Sequence, residues 1–189
     1  MKTRVKGFTL VELMITIALA VIVLTMGVPS FQSTVDNNRL VTQANQLVGT
    51  LHFARSEAIK RRIPVTVRKS DSNWEDGWIA FSDLNGDGNA NTSTGNNCAA
   101  GEDCILRVVA SLGGKTTLRG NNNIANRVTF NSTGFSTGFN GTFTLCDSRG
   151  AQKARGIIIS NTGRVRRATD SNKDGIEEDG SGNPLTCPS

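Results

Sequence analysis

The chain has 189 residues and a formal net charge of +5, with 37% apolar residues, 20% charged residues, 20 Gly and only 4 Pro. Such a composition can bury a core and excludes a disordered or collagen-like chain, while the length suits one ordinary domain with an appendage. A single histidine, His52, and no tyrosine exclude His-rich metal sites and most general-base catalysis.

Charge is segregated along the sequence. Lys2, Arg4 and Lys6 lie in the first seven residues, which leaves 18 of the 21 basic side chains against 16 acids in the rest. Asp71 to Asp103 holds seven acids and no Lys or Arg, Ile105 to Ala168 holds ten basic residues and one acid, and from Thr169 on five acids face Lys173. Such a distribution speaks about partners rather than about fold.

The basic head is followed by an apolar run from Phe8 to Val28. As a helix this run reaches about 32 Å, enough for the roughly 30 Å hydrocarbon core of a bilayer. The basic head predicts a cytoplasmic amino end, with everything after Pro29 on the other side. The run is too long for a signal peptide, and no small-x-small cleavage site follows it. Glu12 is the anomaly, because a carboxylate in an apolar run needs a partner.

The residues Lys6, Gly7, Phe8, Thr9, Leu10, Val11, Glu12 and Leu13 resemble the class III signal of type IV pilins and type II secretion pseudopilins. The resemblance implies that a prepilin peptidase cuts after Gly7 and methylates the new terminus at Phe8. It also implies that Glu12 pairs with the terminal ammonium of a neighbouring subunit during filament assembly. Residues 1–7 are thus expected to be a leader, 8–30 a transmembrane and filament-core helix, and 31–62 its amphipathic continuation, bending near Pro29. In that continuation Leu40, Ala44, Leu47, Leu51, Ala54 and Ala58 form one apolar stripe, which should pack on a sheet. Lys60, Arg61 and Arg62 suit the negative end of the helix dipole, and His52 falls off the stripe.

Residues 63–189 read as a β-rich globular domain. Short β-type runs are predicted at 64–68, 77–81, 105–110, 127–130, 142–146, 156–160 and 164–167, separated by Gly, Asn, Asp and Ser. The fold class is α+β, pilin-like, a long helix on a mostly antiparallel β domain. Ala54 to Ile59, Gly77 to Asp83, Gly101-Glu102 before Ile105 to Arg107, and Ser160 to Arg164 resemble the FimT/FimU minor pilins and their GspH pseudopilin relatives. An Asn-rich insertion from Asn89 to Cys98 and an acidic tail from Asp170 to Asp179 depart from that pattern.

Four cysteines fit an exported, oxidising compartment, and their spacing favours Cys98 with Cys104 and Cys146 with Cys187 over the other two pairings. Gly134 to Gly138 matches a GxSxG elbow, yet no helical pattern follows it. Gly114-Lys115-Thr116 imitates the end of a phosphate loop but lacks its first Gly, where Val109 stands. No catalytic residue and no cofactor are expected. Weak calcium candidates are Asp83, Asn85 and Asp87, and Asp170, Asn172 and Asp174, both without the acid at position twelve, where Thr94 and Ser181 stand.

The resemblance implies a minor pilin of type IV pili, near the filament tip, first anchored in the inner membrane with its globular part periplasmic and then carried to the cell surface. Its partners would be the prepilin peptidase, other major and minor pilins and double-stranded DNA, bound without sequence preference during natural transformation. The alternative is a minor pseudopilin of type II secretion. Gly163-Arg164-Val165-Arg166 is similar to the GRxR motif of DNA-binding FimT-type pilins, and Arg167 extends it. As a strand it would present Arg164 and Arg166 on one face, with Lys153 and Arg155 widening the patch and Asp170 and Asp174 opposing it.

Overall fold

A computed structural model describes residues 7–91 and 101–188. The chain divides into two units, residues 1–39 and 40–189. One helix, α1 (Leu10–Arg61), runs through both sequences. It opens with a Thr-x-x-Glu box: the Thr9 hydroxyl accepts the Glu12 N–H at 3.2 Å, and Glu12 Oε2 accepts the Thr9 N–H at 3.5 Å. It ends where Arg62 takes a left-handed φ of 57°, with Lys60 and Arg61 paired to Glu57 a turn earlier.

In the first unit Leu10, Val11, Leu13, Met14, Ile15 and Leu19 are all more than half exposed. A helix apolar all round gains nothing from water and calls for lipid or neighbouring helices. Among the described residues no helix is long and apolar enough to cross a membrane. The span expected over 8–30 includes residues 26, 27, 29 and 30, whose side chains lie outside the description.

In the second unit the predicted stripe is the core face of the helix. Leu40, Leu47, Leu51, Ala54 and Ala58 are fully buried and Ala44 nearly so. They meet two antiparallel sheets. One, in the order β3-β2-β1-β5, contains β1 (Val65–Lys69), β2 (Trp78–Ser82), β3 (Cys104–Val109) and β5 (Arg127–Phe130). The other, in the order β4-β6-β7-β8, contains β4 (Thr117–Gly120), β6 (Gly141–Cys146), β7 (Arg155–Ile159) and β8 (Val165–Arg167). Alternation sends Val65, Val67, Trp78, Ala80, Val128 and Phe130 from the first sheet, and Leu118, Phe143, Leu145, Ile157 and Ile159 from the second, into one core with the helix.

The predicted strands match to within a residue or so at each end, but β4 has no counterpart in the sequence reading. Its four residues pair with β6, Leu118 opposite Leu145, which buries Leu118 completely. The acidic tail folds back rather than trailing. Cys146 and Cys187 are bonded, and Cys146, Ala154 and Leu185 form a small second core with Ile176 and Cys187 against it. Cys104 is also disulfide-bonded; Cys98, the partner expected for it, lies outside the described residues.

Candidate nucleic-acid interface

Among the described residues β8 is an edge strand paired with β7 alone, with Ile159 opposite Val165, Ile158 opposite Arg166 and Ile157 opposite Arg167. Val165 is buried, and Arg166 and, just before the strand, Arg164 are exposed; Arg167 is exposed as well, so the alternation stops at Arg166. The turn between β7 and β8 is closed by the Gly163 N–H donating to the Ser160 carbonyl at 2.8 Å and the Ser160 N–H donating to the Arg164 carbonyl at 3.1 Å. Gly163 holds a φ of 73°, and a Cβ there would run into the Gly134 carbonyl, so only glycine fits.

The helix fixes this turn through a residue that the sequence reading quoted but gave no role. Arg55 Nε donates to the Gly134 carbonyl at 2.9 Å and its Nη2 to the Thr162 carbonyl at 3.2 Å. One guanidinium thus ties α1 to two loops, and Arg55 is a positioning residue for the turn that leads into Arg164 and β8. Its signal was its place in the Ala54 to Ile59 pattern.

Arg164 and Arg166 make no ion pair or side-chain hydrogen bond among the described residues. Arg166 lines a groove with Thr142, Ile158, Ser160, Asp179 and Gly180. The other three expected members are placed otherwise. Arg155 is ion-paired with Glu177 at 2.8 Å, and the same carboxylate accepts the Gly156 N–H at 2.8 Å. The folded tail therefore engages Arg155, which does not widen the patch. Lys153 is exposed in the 3-10 turn Ala151–Lys153, at the end of β7 away from the turn that precedes Arg164. Arg167 is exposed but reaches back to hydrogen-bond Asn45 Oδ1 on the helix.

The acids expected to oppose Arg164 and Arg166 are bound up in their own loop. Asp170 accepts the N–H groups of Lys173 at 2.7 Å and Gly175 at 2.9 Å, and Asp174 that of Ile176 at 2.8 Å. Hydrogen bonds from the Ser171 backbone and then its hydroxyl hold the Glu178 carboxyl below the ordinary carboxylate range. Burial pushes the Asp179 carboxyl up, and the Asn183 and Ser181 N–H groups outweigh it, leaving Asp179 lowered. Asp179, not Asp170 or Asp174, is the acid beside Arg166 in the groove.

Both calcium candidates gather carboxylates, with one member each that the sequence reading missed. Glu178 joins Asp170 and Asp174, while Asn172 donates to Asp174 at 3.0 Å. Asp103 joins Asp83 and Asp87, and Asn85 accepts the Asp87 N–H at 3.2 Å. Glu178 stands at position nine of its loop, a ligand position that the spacing already offered. Asp103 comes from the start of another strand, and no local spacing points to it. Ser136 of the GxSxG match is fully buried and donates its hydroxyl to the Ser160 carbonyl at 2.8 Å, which ties down a loop.

Residues 43–163 match the model of the family described as type II transport protein GspH, and residues 2–28 match the prokaryotic N-terminal methylation motif. The chain belongs to the GspH family. Crystal structures of the type IV minor pilin FimU of Pseudomonas aeruginosa (strain PAO1) share its fold. One has a TM-score of 0.54 and 24% identity over 73% of this chain and 93% of that one. In a second crystal form the TM-score is 0.51, with 24% identity over 71% and 95%. No curated protein matches the chain. The match joins a GspH-type domain to an amino-terminal methylation motif, the two parts of a pilin-like protein.

Proposed function

We propose that the chain is a minor pilin of a type IV pilus, placed near the filament tip, whose head holds double-stranded DNA through Arg164 and Arg166 during uptake. In this reading the leader is cut after Gly7 in the inner membrane, Phe8 is methylated, and Glu12 pairs with a neighbour's terminal ammonium. The periplasmic head then rides the filament to the cell surface and carries no catalytic role. The observation that supports DNA binding is the pair of exposed guanidiniums without a partner among the described residues, Arg166 on the edge strand β8 and Arg164 immediately before it. Residues two apart on a strand lie about 7 Å from each other, a spacing that suits successive phosphates of one DNA strand. Each guanidinium can grip a phosphate bidentately, and none of this reads a base.

The full chain in detergent should retard duplex DNA of any sequence with micromolar or weaker affinity. Two phosphate contacts should give a salt slope near −2 by counterion release. Arg164→Gln with Arg166→Gln should abolish retardation and leave the thermal unfolding midpoint unchanged. Retardation by the double variant equal to the parent at the same salt would refute DNA binding through this strand. The family description favours one second reading, a pseudopilin of type II secretion; there the double substitution changes no DNA phenotype and loss of the gene blocks protein export.

A further inference from the structure

The loop after β2 brings three acids together without a cation to match them. Asp83 and Asp103 are 1% and 2% exposed, Asp87 is exposed, and carboxylate oxygens of all three lie within 4.8 Å of one another. Like charges at that separation repel, more strongly where two of them are buried. No ion pair reaches any of them among the described residues. The two nearby guanidiniums serve other oxygens: Arg68 donates to the Gly88 carbonyl and Asn89 Oδ1, and Arg127 to the Asp87 carbonyl at 3.0 Å.

The acceptor count isolates one atom. Asp103 takes the Leu84 N–H on Oδ1 at 2.8 Å and the Asn91 N–H on Oδ2 at 2.9 Å. Asp87 takes the Asn89 N–H on Oδ1 at 2.6 Å and the Asn91 amide on Oδ2 at 2.8 Å. Asp83 Oδ2 takes the Thr66 hydroxyl at 2.7 Å and the Gly88 N–H at 3.1 Å. Asp83 Oδ1 is buried and accepts nothing. A buried carboxylate oxygen without a partner is costly, and native proteins leave one where a ligand, ion, ordered water or strain accounts for it. Thr66 and Gly88 fix the orientation of that carboxylate from the other side, the second through a glycine at φ 74°.

We propose that Asp83, Asp87 and Asp103 bind one divalent cation of the calcium type, which supplies the missing partner of Asp83 Oδ1 and neutralises the cluster. The donors are carboxylate oxygens, with no imidazole or free thiol beside them, since Cys104 is disulfide-bonded. That set selects a hard cation over zinc or copper. Asp103 supplies the additional carboxylate that the Asp83-Asn85-Asp87 spacing lacks at Thr94. The ion would pin the β2–β3 connection to the sheet β3-β2-β1-β5, with Asp87 as its exposed gate. The second carboxylate cluster offers no such atom among the described residues: Oε2 of Glu178 accepts both the Ser171 N–H and hydroxyl at 2.8 Å, and Oε1 accepts the Asn172 N–H at 3.5 Å.

Calorimetric titration of calcium chloride into the full chain in detergent tests this. One ion per chain should bind with a dissociation constant of about 10⁻⁴ to 10⁻³ M, as in extracellular modules, and magnesium should bind more weakly. Asp83→Asn and Asp103→Asn should each weaken binding at least tenfold, and Asp87→Asn, at an exposed position, should do so in a chain that folds. Asp174→Asn should leave binding unchanged. Absence of binding heat and of a thermal shift at about 10 mM calcium would overturn the proposal. So would binding that survives all three substitutions or that is lost with Asp174→Asn.

Discussion

Replacing Cys146 and Cys187 together by alanine should lower the stability of the β-rich unit by about 4 kcal/mol, the loop-closure entropy of a crosslink spanning 41 residues. The bond joins the end of β6 to the tail, whose other ties to the sheet include the small core around Ala154 and Leu185, the Glu177 pair with Arg155, the Gly156 N–H donating to the Glu177 carboxylate at 2.8 Å and the Gly180 N–H donating to the Thr142 hydroxyl at 3.0 Å. Without the crosslink the tail should detach before the sheets unfold. Chemical denaturation of the double variant against the parent gives the loss, and limited proteolysis should cut after Thr169 in the variant alone. Equal midpoints for the two chains would mean that the tail contributes nothing to the fold.

Trp74→Ala should cost about 3–5 kcal/mol, the range for deleting a large aromatic from a core. Trp74 is 1% exposed, in the 3-10 turn Trp74–Asp76, and its ring meets Phe143 edge-on with centroids 4.8 Å apart. Its indole N–H donates to the Ile124 carbonyl at 3.2 Å and the Ala125 carbonyl at 3.0 Å. Trp74→Phe keeps much of the packing but leaves those carbonyls without their donor, so about 1–3 kcal/mol should be lost. Urea unfolding of the two variants ranks them. A Phe variant as unstable as the Ala variant would show that the hydrogen bonds, and not the ring, hold the turn.

What was legible in the sequence was what repeats locally. The stripe from Leu40 to Ala58 follows helix periodicity, and every member is buried. In the Arg164-Val165-Arg166 run Val165 is buried and both arginines are exposed, but the strand starts only at Val165 and the exposed Arg167 breaks the period. What was illegible depends on residues far apart in the chain. Arg155 is removed from the patch by Glu177, 22 residues on, and Arg167 is drawn to Asn45 across 122 residues. Strand β4 is too short to show a period and exists because β6 offers it an edge. Asp103 joins Asp83 across the β2–β3 connection, a distance that no loop spacing encodes.

Peptide mass spectrometry of sheared surface filaments tests most directly whether the chain is a filament subunit of the pilus. The account predicts this chain among the filament proteins, its amino-terminal peptide beginning at N-methylated Phe8 and the first seven residues removed. Absence of the chain from the filaments, or its presence with Met1 retained, would contradict it.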